Sequence, residues 1–400
     1  MTVKQRADFD GDGRAEILIS SPWGLGILKL SGTTLSAPTM QPNGTRLGEW
    51  LLNTADNRFG PVGDFDGDGR AEIFVSSPWG IGILEQSGST FGCPMLAPNG
   101  TRFSGWLLNT DDNRFGPVGD FDGDGRDEIL VTSPWGIGIM KLAGNTMQML
   151  MMAPNGTRFD GWLLNTDDNH FGPVGDFDGD GRSEIVVTSP WGIGILELTA
   201  SNTLQAQMMA PNGTRFGGWL LNTDDNHVGT AADYDADGRD ELFISSPWGV
   251  GILELSGSSM SSSVMVANDT RIGGWLLNTD DNHFGPVGDL DADRRAEILV
   301  TSPWGIGILK QAGGTLANPM LAANGARFGE WLLNTADNVI DMLGDVDGDG
   351  RSEVVVTSPW GIGIWMFTGT ALTSVMLAPN GTRFGGWLLN TADNTVGIGG

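Results

Sequence analysis

Cysteine, tyrosine and histidine are almost missing from this chain of 400 residues. Its single cysteine, Cys93, rules out an internal disulfide and reads as a small apolar residue that is wholly or partly buried. With three histidines and one tyrosine, general acid–base catalysis has few candidates, and no enzyme is expected. Basic residues are scarce as well: 22 Lys and Arg stand against 49 Asp and Glu, a formal charge of −27. No basic stripe is available to neutralise phosphate, so nucleic acid is excluded as a partner. No run is long and apolar enough to span a bilayer, so no membrane insertion is expected. The opening Met1-Thr2-Val3-Lys4-Gln5-Arg6 lacks the apolar stretch of a signal peptide. The expectation is a cytoplasmic or non-classically secreted protein.

What is abundant is glycine, 62 residues, and tryptophan, 15, in a chain that is 40% hydrophobic. That is too apolar for disorder, and the glycine is periodic. The segment Asp120-Phe121-Asp122-Gly123-Asp124-Gly125-Arg126-Asp127-Glu128 recurs with small changes from Asp8, Asp64, Asp176, Asp233, Asp289 and Asp345. The spacing is 56 residues, with one gap of 57, so seven copies fill residues 1–400 as one domain. In the third copy, Phe115 to Phe121 reads as a strand leading into the acidic turn. Glu128 to Thr132 and Ile137 to Leu142 read as a second and third strand, with Ser133-Pro134-Trp135-Gly136 as the turn between them. A fourth is expected within Met151 to Asn165. Gly136 and Gly138 leave one face open to a close neighbour, while Ile137 and Ile139 fill the space between units.

Four antiparallel strands per repeat predict an all-β, seven-bladed β-propeller of four-stranded antiparallel blades. Separate turns of this kind fit a β-solenoid poorly. The last residues, Thr395 to Gly400, occupy the register of Arg58 to Gly63, and Val3 to Ala7 duplicate the last five. Both suit a ring whose ends meet.

In the acidic segment, positions 1, 3 and 5 present carboxylates, Gly allows the sharp turn, position 7 offers a carbonyl and Glu at position 9 closes the shell. Hard oxygen donors in that number suit Ca²⁺. An EF-hand needs its Glu at position 12, where this repeat has Val131 inside a strand, so this is a calcium loop in a β-hairpin. An Asx-turn alone would need one aspartate, not four acids. The candidate metal ligands are Asp8, Asp10, Asp12, Arg14 and Glu16; Asp64, Asp66, Asp68, Arg70 and Glu72; Asp120, Asp122, Asp124, Arg126 and Glu128; Asp176, Asp178, Asp180, Arg182 and Glu184; Asp233, Asp235, Asp237, Arg239 and Glu241; and Asp345, Asp347, Asp349, Arg351 and Glu353. The sixth copy, Asp289-Leu290-Asp291-Ala292-Asp293-Arg294, has lost its position-6 Gly and is expected to bind calcium least. Ala236 of the fifth stands outside that position and is expected to matter less. Acidic clusters without basic neighbours repel, so the loops are expected to hold cations.

A second segment recurs just as often, Trp-Leu-Leu-Asn-Thr-x-Asp-Asn. In a four-strand blade it emerges on the same rim as the Ser-Pro-Trp turns, opposite the acidic loops. Indoles offer flat walls to the C–H faces of a pyranose, and Asp/Asn pairs match vicinal hydroxyls. The candidate carbohydrate contacts are Asp56 and Asn57, Asp112 and Asn113, Asp168, Asn169 and His170, Asp225, Asn226 and His227, Asp281, Asn282 and His283, and Asp337 and Asn338. With them go Trp79, Trp135, Trp191, Trp248, Trp304 and Trp360. The Trp50, Trp106, Trp162 series is expected to pack inside. The Asn-Gly-Thr sequons, such as Asn155, read as plain turns.

Phe115-Gly116 through Asp120-x-Asp122-x-Asp124-Gly125 to Thr132-Ser133-Pro134 resembles the FG-GAP repeat of integrin α-subunit propellers. The Pro-Trp-Gly-Ile-Gly-Ile and Trp-Leu-Leu-Asn-Thr segments resemble the Psathyrella velutina-type lectins of fungi, over the whole chain. That resemblance implies a calcium propeller binding N-acetylglucosamine and sialic acid between adjacent blades, with glycans bearing those sugars as partners. Asp56, Asp112, Asp168, Asp225 and Asp281 with their following asparagines are then the best ligand candidates. The chain departs from its own pattern at Val339, Thr395 and Ala326, so sites from the sixth and seventh connections are weaker candidates. A protein-binding scaffold of the integrin kind is the alternative, and its mark would be one specialised sector of rim. A polysaccharide-cleaving propeller would need an unrepeated acid–base constellation, which is not found.

Overall fold

A computed structural model describes residues 7–397. In the third repeat Arg114–Gly119 lies innermost, followed outward by Glu128–Ser133, Gly136–Ala143 and Thr146–Pro154, all antiparallel. Six further four-stranded sheets repeat this order, giving a ring of seven blades. Ile129, Leu130 and Val131 are fully buried on both faces, because each sheet is sandwiched between two others. Among the described residues no helix is long and apolar enough to cross a membrane.

The outermost strand starts at Thr146, ahead of the Met151 expected, and the Trp-Leu-Leu segment lies outside the blade. Trp162–Leu163 pairs with Arg158–Phe159 as a separate two-residue hairpin. The Met147-to-Met152 run shows no clear alternation and no β-branched residue, yet its pairing with Gly136–Ala143 draws it into the sheet. Pro154, with no N–H to donate, ends that strand.

The glycines of the third strand make room for the hairpin. A Cβ on Gly194 would stand 2.9 Å from Cε3 of Trp162, and one on Gly251 would stand 2.8 Å from Cε3 of Trp219. Each indole of one repeat thus seats on the glycine face of the next blade. On the opposite face Ile137 and Ile139 pack with Trp162, Ile185 and Val187 across the blade interface.

Two distant stretches close the ring. Thr395–Gly397 forms the innermost strand against Leu18–Ser20, and the Ala7 carbonyl accepts the Glu16 N–H at 2.8 Å. The first blade therefore takes its inner edge from both ends of the described chain. The duplicated register at Val3 to Arg6 and at residues 398–400 lies outside the described residues. On the acidic rim the amide at position 8 of each loop donates to the position-1 carbonyl of the loop before it. Ala71 bonds Asp8 at 2.7 Å, Asp127 bonds Asp64 at 2.8 Å, and so on round to Ala15, which bonds Asp345 at 2.7 Å. Seven backbone bonds join the seven loops into a continuous belt.

Candidate functional site

Each acidic loop is wound around its first aspartate. In the second loop the Gly67 N–H donates to Asp64 Oδ1 at 2.7 Å and the Gly69 N–H to Oδ2 at 3.2 Å. The position-9 glutamate is at most 2% exposed, and its Oε2 accepts the N–H of position 2, as Glu72 does from Phe65 at 2.8 Å. Its Oε1 points at the other carboxylates. None of the seven Oε1 atoms has a hydrogen-bond partner. Those of Glu16, Glu128 and Glu297 have a lysine Nζ at 2.7–3.0 Å, and those of Glu72, Glu184, Glu241 and Glu353 have no ion pair among the described residues. Burial first, then the nearby aspartates, pushes the carboxyls of Glu72, Glu241 and Glu353 up to about 8 and that of Glu184 to about 9. A buried, unmatched carboxylate oxygen is costly. Ligand oxygens of Asp64, Asp66 and Glu72, of Asp176, Asp178 and Glu184, and of Asp233, Asp235, Asp237 and Glu241 lie within 4.8 Å of one another, as do those of Asp8, Asp10, Asp12 and Glu16 and of Asp120, Asp122, Asp124 and Glu128. Oxygens held about 2.3–2.6 Å from one Ca²⁺ sit up to about 5 Å apart, so these sets fit that ion.

The acidic loops have basic neighbours, against expectation. A position-7 arginine reaches the position-5 aspartate in the second, third, fourth, fifth and seventh, and three loops have a lysine lodged among their carboxylates. Lys29 pairs with Asp10, with Asp12 at 2.8 Å and with Glu16 at 3.0 Å. Lys141 pairs with Asp122, Asp124 and Glu128 at 2.6, 2.7 and 2.9 Å. Lys310 pairs with Asp291, Asp293 and Glu297 at 2.6, 2.8 and 2.7 Å. The glutamates in these loops are raised only to about 7, burial being partly offset by the ammonium. The chain has four lysines, and three occupy this one register of the third strand. That coincidence was the available sequence signal.

Backbone conformation also separates the loops. Position 4 is left-handed throughout, with φ of +76° at Gly11 and +81° at Gly67, so Ala236 at +67° is strained where a milder effect was expected. The sixth loop is strained twice, at Ala292 (+61°) and Arg294 (+72°).

On the opposite rim the two tryptophan series meet. Trp50, Trp106, Trp162 and their equivalents are fully buried, whereas Trp79, Trp135, Trp191, Trp248, Trp304 and Trp360 are 37–42% exposed, as is Trp23. Each exposed indole leans on the buried indole of the repeat before it, Trp135 on Trp106 and Trp191 on Trp162 with centroids 4.0 Å apart. The asparagine of the Asp-Asn pair lies inside the loop. Asn169 Oδ1 accepts the Trp162 indole N–H at 3.1 Å and the Asn165 N–H at 3.1 Å, which fixes the loop to the indole. Asn57, Asn113, Asn226, Asn282 and Asn338 do the same. Their Nδ2 groups have no partner. The aspartates Asp56, Asp112, Asp168, Asp225, Asp281 and Asp337 are exposed, each accepting from the loop's first asparagine at 2.6–2.8 Å. His170, His227 and His283 are exposed at the head of the innermost strands.

Between the third and fourth blades a groove of about 340 Å³ opens, lined by Arg114, Gly116, Thr132, Thr166, Asn169, His170 and Phe171. Thr132 and Thr166 were not singled out in the sequence, although Thr166 belongs to the unvarying Leu-Leu-Asn-Thr core. Its Oγ1 donates to the Ser133 carbonyl at 2.8 Å and ties the loop to the Ser-Pro-Trp turn. Asn155 of the Asn-Gly-Thr sequon serves the same junction, its Nδ2 donating to the Pro134 carbonyl and to Thr166, both at 3.0 Å.

The FG-GAP-like repeat family matches residues 8–75, 64–131 and 120–187, so the first part of the chain is similar to FG-GAP-like repeats. No curated protein matches the chain. Among solved structures it is similar to a lectin of Agrocybe aegerita described as recognising non-reducing terminal N-acetylglucosamine. The identity is 16% and the TM-score 0.62, over 97% of both chains. It is also similar to the periplasmic gluconolactonase of Pseudomonas aeruginosa, 12% identical with a TM-score of 0.48, over 91% of this chain and 97% of that one.

Proposed function

We propose that the protein is a multivalent, calcium-stabilised lectin that binds N-acetylglucosamine, and also sialic acid, between adjacent blades, as Psathyrella velutina-type lectins do. The observation that carries this reading is the recurring pair on the indole rim, a partly exposed tryptophan braced by a buried one beside exposed aspartates, together with the groove between the third and fourth blades. The indole suits the apolar face of a sugar ring, and the exposed aspartates suit its vicinal hydroxyls. The Agrocybe aegerita lectin, which shares the fold, makes N-acetylglucosamine the natural first probe. Arg114 beside the groove provides a cationic group for the carboxylate of sialic acid, and His170 a ring N–H for a hydrogen bond to it.

The role we propose is binding, in keeping with a rim that repeats one constellation from blade to blade among the described residues. One sugar ring per groove makes each site weak. A glycan surface engaging several grooves gains on the order of 10²–10⁴ by avidity. Partners are glycans bearing these sugars.

Calorimetric titration of the calcium-loaded protein with N-acetylglucosamine tests the reading. The expected stoichiometry is about one sugar per inter-blade groove. Absence of heat and of saturation at millimolar sugar would sink it for this sugar and move the weight to a protein-binding scaffold.

A further inference from the structure

We infer that the seven acidic loops are of two kinds: the first, third and sixth carry a built-in cation, a lysine ammonium from the adjoining strand, and only the second, fourth, fifth and seventh take calcium. The inference rests on the calcium reading above and divides it.

The division turns on one register of the third strand. Lys29, Lys141 and Lys310 stand there in three repeats, and Glu85, Glu197 and Glu254 in three others. The seventh has Met366. Each lysine Nζ is in ion-pair contact with the carboxylates of positions 3, 5 and 9, the same oxygens that would hold the metal. The lysine side chains are 11–20% exposed, so the ammonium is lodged among the carboxylates. A divalent ion at those oxygens would lie within about 4 Å of the ammonium, where like charges repel strongly in a partly desolvated site. Ion and ammonium are therefore alternatives.

In the other loops the balance runs the opposite way. Glutamate at the register adds a fifth negative group. Arg182 joins Asp180 to Glu197, and Arg239 joins Asp237 to Glu254. All seven position-9 Oε1 atoms lack a hydrogen bond, but a lysine Nζ lies 3.0, 2.9 and 2.7 Å from those of Glu16, Glu128 and Glu297, whereas Oε1 of Glu72, Glu184, Glu241 and Glu353 has no ion pair among the described residues. Four buried oxygens aimed into four clusters await a cation that the chain does not supply.

The arrangement around the ring has a consequence. No two lysine loops are neighbours, and each is bonded through the backbone belt to a calcium-taking loop on either side. Removing calcium therefore never leaves the whole rim uncompensated, and the ring is expected to persist in chelator.

The test is metal content and titration with calcium chloride on the full chain, by mass spectrometry of bound metal and by calorimetry. The wild type is expected to hold one ion for each loop lacking lysine, about four. Lys141→Met adds one ion, and Lys141→Gln gives the same gain if the first variant folds poorly by circular dichroism. Glu85→Lys removes one. Six or seven ions in the wild type, or an unchanged count in the foldable Lys141 variant, overturns the division and leaves the calcium reading standing. No bound ion overturns both.

Discussion

The two rims of the ring are made by the same seven repeats, yet one is uniform and the other is not. On the indole rim every repeat sets a partly exposed tryptophan on a buried one and ties the latter to an asparagine seven residues on. On the acidic rim the backbone winding is shared, but one strand position carries lysine in three repeats, glutamate in three and methionine in the seventh. The contrast shows what each rim can tolerate. Indole stacking requires shape, and any change leaves a void. An acidic loop requires charge compensation, which a tethered ammonium or a free ion can each supply.

The largest expected effect breaks the uniform rim. Trp162→Ala removes a fully buried indole that packs on Gly194 and holds Asn169, and should cost about 3–5 kcal/mol in denaturant unfolding. Trp191→Ala, on the exposed half of the same stack, should cost about 1 kcal/mol but reduce the sugar stoichiometry by one groove. Equal losses of stability from the two would erase the distinction between frame and contact.

The next effect reads the acidic rim through pH. In metal-free protein the carboxyls of Glu72, Glu241 and Glu353 are raised to about 8 and Glu184 to about 9, from an ordinary value of 4.5. A carboxyl with a raised folded value binds more protons folded than unfolded. Its contribution to stability is complete below the unfolded value and is lost as pH rises through the folded one. Thermal unfolding in chelator should thus weaken steadily from about pH 5 to about pH 9, and saturating calcium should flatten that slope. Glu16, Glu128 and Glu297, raised only to about 7, contribute less. Lys141→Met should steepen the decline, and a slope rising with pH in chelator would contradict the picture.

Much of this architecture was legible in the chain. A strict period, alternating glycine and isoleucine, and turn residues at fixed offsets define the blades because strand pairing and turn chemistry are local. The outermost strand was harder to place. Met147 to Met152 lacks clear alternation and is recruited by its partner strand. The role of Asn169 was hidden although Trp and Asn recur seven residues apart, because an exposed-looking polar pair reads as a ligand contact until the indole N–H is seen pointing at it. Lysine pairing was hidden for a different reason. Lys141 lies 19 residues from Asp122, and only the register between the second and third strands brings them together.

The smallest effect sharpens the acidic comparison at its least regular member. Arg294 occupies the position-6 site with φ of +72°, where every other loop has glycine, and its N–H still donates to Asp289 Oδ2 at 2.8 Å. The loop therefore keeps its fold despite strain of about 1–2 kcal/mol at a non-glycine residue in that region. Arg294→Gly should relieve the strain and raise stability by about 1 kcal/mol. It should not create a calcium site, because Lys310 still pairs with Asp291, Asp293 and Glu297. If lost glycine were what disables the sixth loop, this substitution alone would add a bound ion. If the ammonium disables it, the ion appears only when Lys310→Met is combined with the change. Metal content of the single and double variants separates backbone strain from charge as the cause.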